Sequence, residues 1–188
     1  MPIVYVIGGA NGSGKTTTSI VLLPRTLNVI EFVNADAIAA GISPLNPDSM
    51  AIQAGRIMLE RLDLLSTSGA NFAFETTLAS RTFAPFLRKC KEERGYAIAL
   101  IYFWLRSPEL AIERVSMRVA AGGHSIPADV VRRRYERGRL NLTSLYLPLV
   151  DEWMIFDNSE SESMLVAEKE VGQNQVIYDN DTWSQITG

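Results

Sequence analysis

The apolar positions of the chain switch repeatedly between two periods, and the switching predicts the architecture. Ile3–Ile7 is a short continuous apolar run rich in β-branched residues, the pattern of a parallel strand buried on both faces. A glycine loop follows, then a helix from about Gly14 to Leu23 that Pro24 stops. Val29–Val33 reads as a second strand, ending at Asn34 and Asp36. Asp48 or Ser49 can cap a helix with the stripe Ile52, Ile57, Leu59, Leu62 and Leu65, closed near Gly69. Phe72–Phe74 is a third strand that ends at Glu75. The helix after it, from about Ser80 to Gly95, carries Lys89, Lys91 and Arg94 late, where cations suit the dipole. Ala97–Leu105, the most hydrophobic stretch, is a fourth strand. Ser107-Pro108-Glu109 combines a capping serine with proline at the first helical position, and that helix runs to Gly122-Gly123. Another helix begins near Pro127 and passes Arg139. Trp153–Phe156 gives a fifth strand and Val176–Tyr178 a short final one. Such alternation means an α/β fold, a doubly wound parallel sheet of about five strands. Residues 114–140 are expected to form a helical lid and 159–188 an acidic tail.

Composition narrows the class. A chain of 188 residues, 47% hydrophobic and 21% charged, fits one domain with a core that needs no disulfide or metal staple. The net charge of -3 argues against a dedicated nucleic-acid binder. No apolar run has the length of a membrane span and no signal peptide is evident, so a soluble, cytoplasmic protein is expected. Cys90, the only cysteine, falls in a helix with no motif around it and reads as a packed, inert thiol.

The decisive chemistry lies in Gly9-Ala10-Asn11-Gly12-Ser13-Gly14-Lys15-Thr16, followed by Thr17. It fits the pattern G-x-x-x-x-G-K-[ST] and sits after a strand and before a helix, as a P-loop must. Glycines let backbone N–H groups turn in around phosphates, and the helix N-terminus adds the positive end of its dipole. Lys15 would reach the outer phosphates of ATP, and the Thr16 hydroxyl can hold Mg²⁺. An Asn-Lys-x-Asp guanine-reading sequence is absent, and large mechanical ATPases need more chain, which moves the weight to small-molecule kinases.

In open α/β sheets ligands bind beyond the carboxyl ends of the strands, where Asp36 and Glu75 are expected. Asp36 is assigned as general base and Glu75 as a ligand of substrate or metal, two roles that could be exchanged. The competing reading of Asp36 is a loop carboxylate capping Ala37 and Ile38. Thr76, Thr77, Ser80 and Arg81 follow at the same edge and could hydrogen-bond a polar acceptor; Thr77 and Ser80 equally suit caps. Arg114 and Arg118 share a helical face, and Arg132, Arg133, Arg134, Arg137 and Arg139 follow the Gly122-Gly123 hinge. A positioned arginine stabilises the charge of a transferring phosphoryl group, and Arg118 with one of Arg132 or Arg134 is assigned that task. Any other arginine is expected to pair with Glu109, Glu113 or Glu136 on a solvated face. His124, the lone histidine, is read as a lid contact or a surface residue. Asn158, after the fifth strand, is placed to touch an adenine ring or to make a turn.

Together Gly9–Thr17, Phe32-Val33-Asn34-Ala35-Asp36, Ser43-Pro44-Leu45-Asn46-Pro47, Ala54-Gly55-Arg56, Phe74-Glu75-Thr76-Thr77-Leu78 and Gly122-Gly123-His124 through Arg134-Tyr135 resemble the zeta toxin family of P-loop kinases. The resemblance covers roughly residues 1–158. It implies phosphorylation of a sugar hydroxyl of UDP-N-acetylglucosamine with ATP and Mg²⁺. Lys15 and Thr16 would lie at the nucleotide, Asp36 would be the base, Glu75 and Thr77 would face the acceptor, and lid arginines the phosphates. It also implies an antitoxin protein as a partner that covers the P-loop. Two other functions fit the residues: a kinase of nucleic-acid 5′-hydroxyls, and a nucleotide-dependent interaction module without an acceptor.

Overall fold

The computed structural model describes residues 1–123 and 125–188, so the reading of His124 lies outside the described residues. Four parallel pairings build the centre of one sheet. Strand β1 (Ile3–Gly9) lies between β3 (Phe72–Thr76) and β4 (Ala97–Trp104), β2 (Phe32–Val33) flanks β3, and β5 (Glu152–Asp157) flanks β4. Val4, Val6 and Ile7 of β1, and the whole of β4 after Ala97, are buried, which is why these strands read as continuous apolar runs. The neighbours of β1 run on into helices from the same edge. Chain order therefore reverses at β1, and its carboxyl end is where a doubly wound sheet opens its crevice.

The sheet has seven strands rather than five. Beyond β5 the chain adds β6 (Met164–Lys169) and β7 (Val176–Ile177), both antiparallel to their neighbours. The acidic segment is thus woven into the fold. Val166 and Ala167 are buried, Ile186 of α7 (Asn180–Thr187) is fully buried, and the Trp183 ring stacks on Trp153 with centroids 5.6 Å apart. Acidic residues on its exposed face hid a buried apolar thread.

Helices α1 (Lys15–Arg25), α3 (Ala51–Ser68), α4 (Phe83–Arg94), α5 (Pro108–Ala120) and α6 (Ala128–Asn141) fall where the periodicity puts them. Details differ for physical reasons. Pro24 sits inside α1, one residue from its end, where the missing N–H costs a single bond and Thr26 still caps onto Leu22. Strand β2 shrinks to two residues because Val29 folds back to donate its N–H to Leu23, leaving Ile30 exposed. In α3 the buried stripe is Ala54, Met58, Leu62 and Leu65, whereas Ile52 faces solvent. Cys90 is buried as expected, and burial pushes its thiol pKa up, away from reactivity.

One helix escaped the sequence reading. Ala35–Ile42 forms α2, and Asn34 caps it, its side-chain oxygen accepting from the N–H groups of Asp36 and Ala37. Asp36 is therefore not a loop carboxylate after a strand. It is a residue of the first turn of α2, and the capping task belongs to Asn34.

Candidate active site

The loop between β1 and α1 is shaped by its neighbours as much as by its own glycines. Gly14 has φ +86°, and the Nδ2 of Asn158 lies where a Cβ would stand, so only glycine fits there. Asn158 donates that amide to the Ser13 carbonyl at 2.6 Å, and its own backbone N–H is pinned to Trp104. Arg114 of α5 completes the brace by donating to the carbonyls of Asn158 (2.7 Å) and Ser159 (2.8 Å). Asn158 thus spends its side chain on the loop backbone.

Lys15 is buried beneath the loop. Its ammonium donates to the Ala10 carbonyl at 2.7 Å and lies 3.7 Å from Glu75 Oε1. Burial lowers its pKa; Glu75 and Asp36 pull the other way, and Arg118 adds to the lowering. Glu75 is a hub. Its Oε2 accepts from the Thr16 hydroxyl (2.6 Å) and from Asn34 Nδ2 (2.8 Å). Glu75 and Thr76 belong to β3 itself, so the strand ends two residues later than its apolar run.

Two cavities open here and share a boundary. The first, about 280 Å³, runs along the loop and is lined by Gly12, Gly14, Thr16, Thr17, Arg114 and Arg118. The second, about 450 Å³, is lined by Asn34, Met58, Thr76, Thr77, Ser80, Phe83, Arg133, Arg134 and Arg137. Asn11, Lys15, Asp36 and Glu75 line both. A charged junction therefore separates a loop compartment from an arginine compartment.

The structure gathers most of the residues expected at the site, and several it does not. Arg118 lines the loop compartment, and its buried Nε and Nη2 have no hydrogen-bond partner among the described residues. Arg134 lines the other compartment. Arg132 points elsewhere and pairs with Glu109 at 2.9 Å on the surface, while Arg133 and Arg137, not singled out from sequence, reach the cavity. Helical geometry explains the choice: neighbours diverge by about 100°, so Arg133 and Arg137, four apart, share a face that Arg132 leaves. Arg81 is exposed and outside both linings. Thr76 and Thr77 line the cavity while their hydroxyl oxygens accept from the N–H groups of Leu78 and Ala79. Arg114 was a further omission. Asn11, expected at the nucleotide as part of the motif, is at 7% exposure, with its Oδ1 buried and without a hydrogen-bond partner among the described residues.

The donor set suits a phosphate chain and a hard cation. An orphaned guanidinium and a buried ammonium beside a helix N-terminus call for an anion. The Thr16 hydroxyl and the Glu75 carboxylate, already in contact, are oxygen ligands of the type Mg²⁺ takes.

A sheet whose central strand turns through such a loop into a helix, with the Glu75 carboxylate at the end of the neighbouring strand, defines a P-loop protein with a kinase-like fold. The chain belongs to the zeta toxin family, whose pattern it matches over residues 1–181. An uncharacterised protein of Haemophilus influenzae is 32% identical over 130 residues, covering 68% of this chain and 88% of that one. Among solved structures, the PezAT chromosomal toxin–antitoxin system of Streptococcus pneumoniae superposes with a TM-score of 0.71 at 17% identity, covering all of this chain and 78% of that one. The AvrRxo1-ORF1:-ORF2 complex with ATP gives 0.78 at 16% identity. This chain is covered in full there and spans 64% of the matched one.

Proposed function

We propose that the protein is an ATP-dependent kinase that transfers the γ-phosphoryl group to a hydroxyl of a polar acceptor, of which UDP-N-acetylglucosamine or another nucleotide sugar is the leading example. The observation that carries this reading is the pair of compartments meeting at Lys15, Asp36 and Glu75. An enzyme that only bound or hydrolysed nucleotide would have no need of a second cavity lined by three arginines. Family membership and the ATP complex of a structural neighbour support the nucleotide half.

In this reading the loop backbone and Lys15 hold the triphosphate, and the acceptor hydroxyl enters from the arginine compartment. Asp36 orients that hydroxyl and takes its proton as the oxygen bonds to the γ-phosphorus. The bond to the β,γ-bridging oxygen breaks and ADP leaves. Arg118 faces the loop side of the transferring group, while Arg133, Arg134 and Arg137 hold anionic parts of the acceptor and exclude water when it is seated. Thr16 and Glu75 are the residues that would hold Mg²⁺, which when bound neutralises charge on the phosphate oxygens. The toxin–antitoxin setting of the neighbour makes a protein covering the loop a partner of the same reading.

The test is incubation with ATP, Mg²⁺ and a panel containing UDP-N-acetylglucosamine, other nucleotide sugars and a 5′-hydroxyl oligonucleotide, read by mass spectrometry for a product one phosphate heavier. Lys15→Ala should abolish product. Asp36→Asn should cut transfer about a hundredfold or more while leaving ATP binding within a few-fold, since a positioned base contributes on that order. Near-normal transfer by Asp36→Asn would remove the base. Phosphate on the oligonucleotide alone would replace the acceptor class, and slow ATP hydrolysis with no phosphorylated product would favour an interaction module.

A further inference from the structure

Part of the wall of the arginine compartment is the short stretch Thr76–Ser80, of which Thr76, Thr77, Ala79 and Ser80 line the cavity, and its backbone is unusual. Leu78 holds φ +58°, in the left-handed region that non-glycine residues rarely adopt, although its side chain is fully buried. A conformation of that kind persists only where its surroundings over-determine it, and such places cluster at ligand clamps.

Besides the Thr76 hydroxyl, which accepts from the Leu78 N–H, the end of α6 and the turn after it supply those surroundings. Asn141, itself buried, donates its side-chain amide to the carbonyls of Leu78 (2.8 Å) and Ala79 (3.3 Å). The Tyr146 hydroxyl donates to the Ser80 carbonyl at 2.7 Å. Gly138 packs so closely on the Thr77 carbonyl that a Cβ there would collide with it. Positions 141 and 146 would diverge by roughly 140° on an ideal α-helix. They converge here because the chain widens into a π-helical turn over Leu142–Tyr146, with Leu147 donating to Leu142. Such turns recur at functional sites. The same helix that sends Arg133, Arg134 and Arg137 into the cavity thus also pins the wall facing them.

We infer that Asn141 is a positioning residue for the acceptor: through the carbonyls of Leu78 and Ala79 it locks the Thr77–Ser80 wall to α6, so that acceptor recognition, and not nucleotide binding, depends on it. The inference rests on the kinase reading above. Among the described residues the side-chain hydrogen bonds of Asn141 go to Leu78 and Ala79 and not to the loop compartment, whose own brace runs through Asn158 and Arg114. Asn141 touches no substrate in this account and acts only through the wall.

The experiment compares wild type, Asn141→Ala and Tyr146→Phe for KM of acceptor and of ATP separately, with hydrogen exchange of the segment 76–80 read alongside. Loss of the amide should raise the acceptor KM about tenfold, the scale expected when a binding group shifts by a fraction of an ångström. The ATP KM should stay within twofold, and exchange should quicken at 76–80 but not at 9–16. Tyr146→Phe removes one hydroxyl from the same wall and should move both readouts in the same direction, more weakly; it carries the test where the alanine variant does not fold. Wild-type turnover with an unchanged acceptor KM in the variants, or with both KM values rising together, overturns the inference and leaves the kinase reading intact. A wild-type enzyme that phosphorylates nothing overturns the kinase reading and the inference with it.

Discussion

The two compartments are walled by opposite means. The loop compartment is dominated by one contiguous stretch, residues 9–17, whose backbone N–H groups, helix end and ammonium are joined by the guanidinium groups of Arg114 and Arg118. The arginine compartment is assembled from the start of α2, Met58 of α3, the end of β3 with the turn behind it, and α6, and its working groups are side chains. A backbone cradle suits any phosphate, because it reads charge and little else. Side chains brought together from a hundred residues of sequence select a shape. On the proposed reading, the first wall explains what the protein shares with many others, and the second is where an acceptor would be selected.

The sharpest way to break that division is to remove charge from the second wall alone. Arg137→Ala should lower kcat/KM for the acceptor about tenfold or more with little change in the ATP KM, the scale of losing one charge-assisted contact. Arg132→Ala serves as its internal contrast. The Arg132–Glu109 pair is about half exposed and contributes on the order of 0–1 kcal/mol to stability, so turnover should stay within about twofold. Steady-state kinetics on both variants checks the division. Equal losses would mean that α6 acts as one charged surface rather than through the face of Arg133 and Arg137.

The same contrast explains how much was legible before the structure. The strands of the centre were readable because burial on both faces leaves continuous apolar runs, and the loop because its chemistry is local. Helix α2 was missed because Asn34 and Asp36 look like a strand end when the cap is not recognised as the Asn34 side-chain oxygen accepting from the N–H groups that follow it. Strand β6 was masked by acidic residues beside its buried Val166 and Ala167, whereas β7 lies within the final strand read at Val176–Tyr178. The acceptor wall was legible only in part, since Glu75, Thr76, Thr77 and Arg134 line it while Arg132 and Arg81 do not. Which arginine of a run enters a cavity depends on the rotational setting of the helix, and that is fixed by distant contacts such as Gly138 against Thr77.

A smaller effect probes the first wall. Asn158→Ala removes the amide that braces the Ser13 carbonyl, one neutral hydrogen bond of about 1 kcal/mol, so ATP affinity should fall about fivefold. The acceptor KM should hold, because the hydrogen bonds of Asn158 among the described residues go to Ser13, Trp104 and Arg114. Calorimetric titration with a non-hydrolysable ATP analogue measures the first and kinetics the second. A shift in the acceptor KM of equal size would show the two walls to be mechanically coupled.

The finest distinction is in protons. Lys15 is buried with its pKa lowered, chiefly by desolvation, and a bound phosphate chain would restore what burial removed. Between that lowered value and the ordinary 10.5, the free protein holds Lys15 partly neutral and the nucleotide complex holds it charged. Nucleotide binding should therefore take up a fraction of a proton in that window, and affinity should weaken as pH rises through it. Stability moves the other way, because there the unfolded chain binds more protons than the folded one and the slope of unfolding free energy with pH is positive. Titrations in two buffers of different ionisation enthalpy measure the uptake, and Lys15→Met removes it if the assignment holds. Acceptor binding in the second compartment should show a weaker uptake or none, since its arginines stay charged throughout. Uptake of equal size from both ligands would place the phosphate-sensing charge at the shared junction rather than on the loop side.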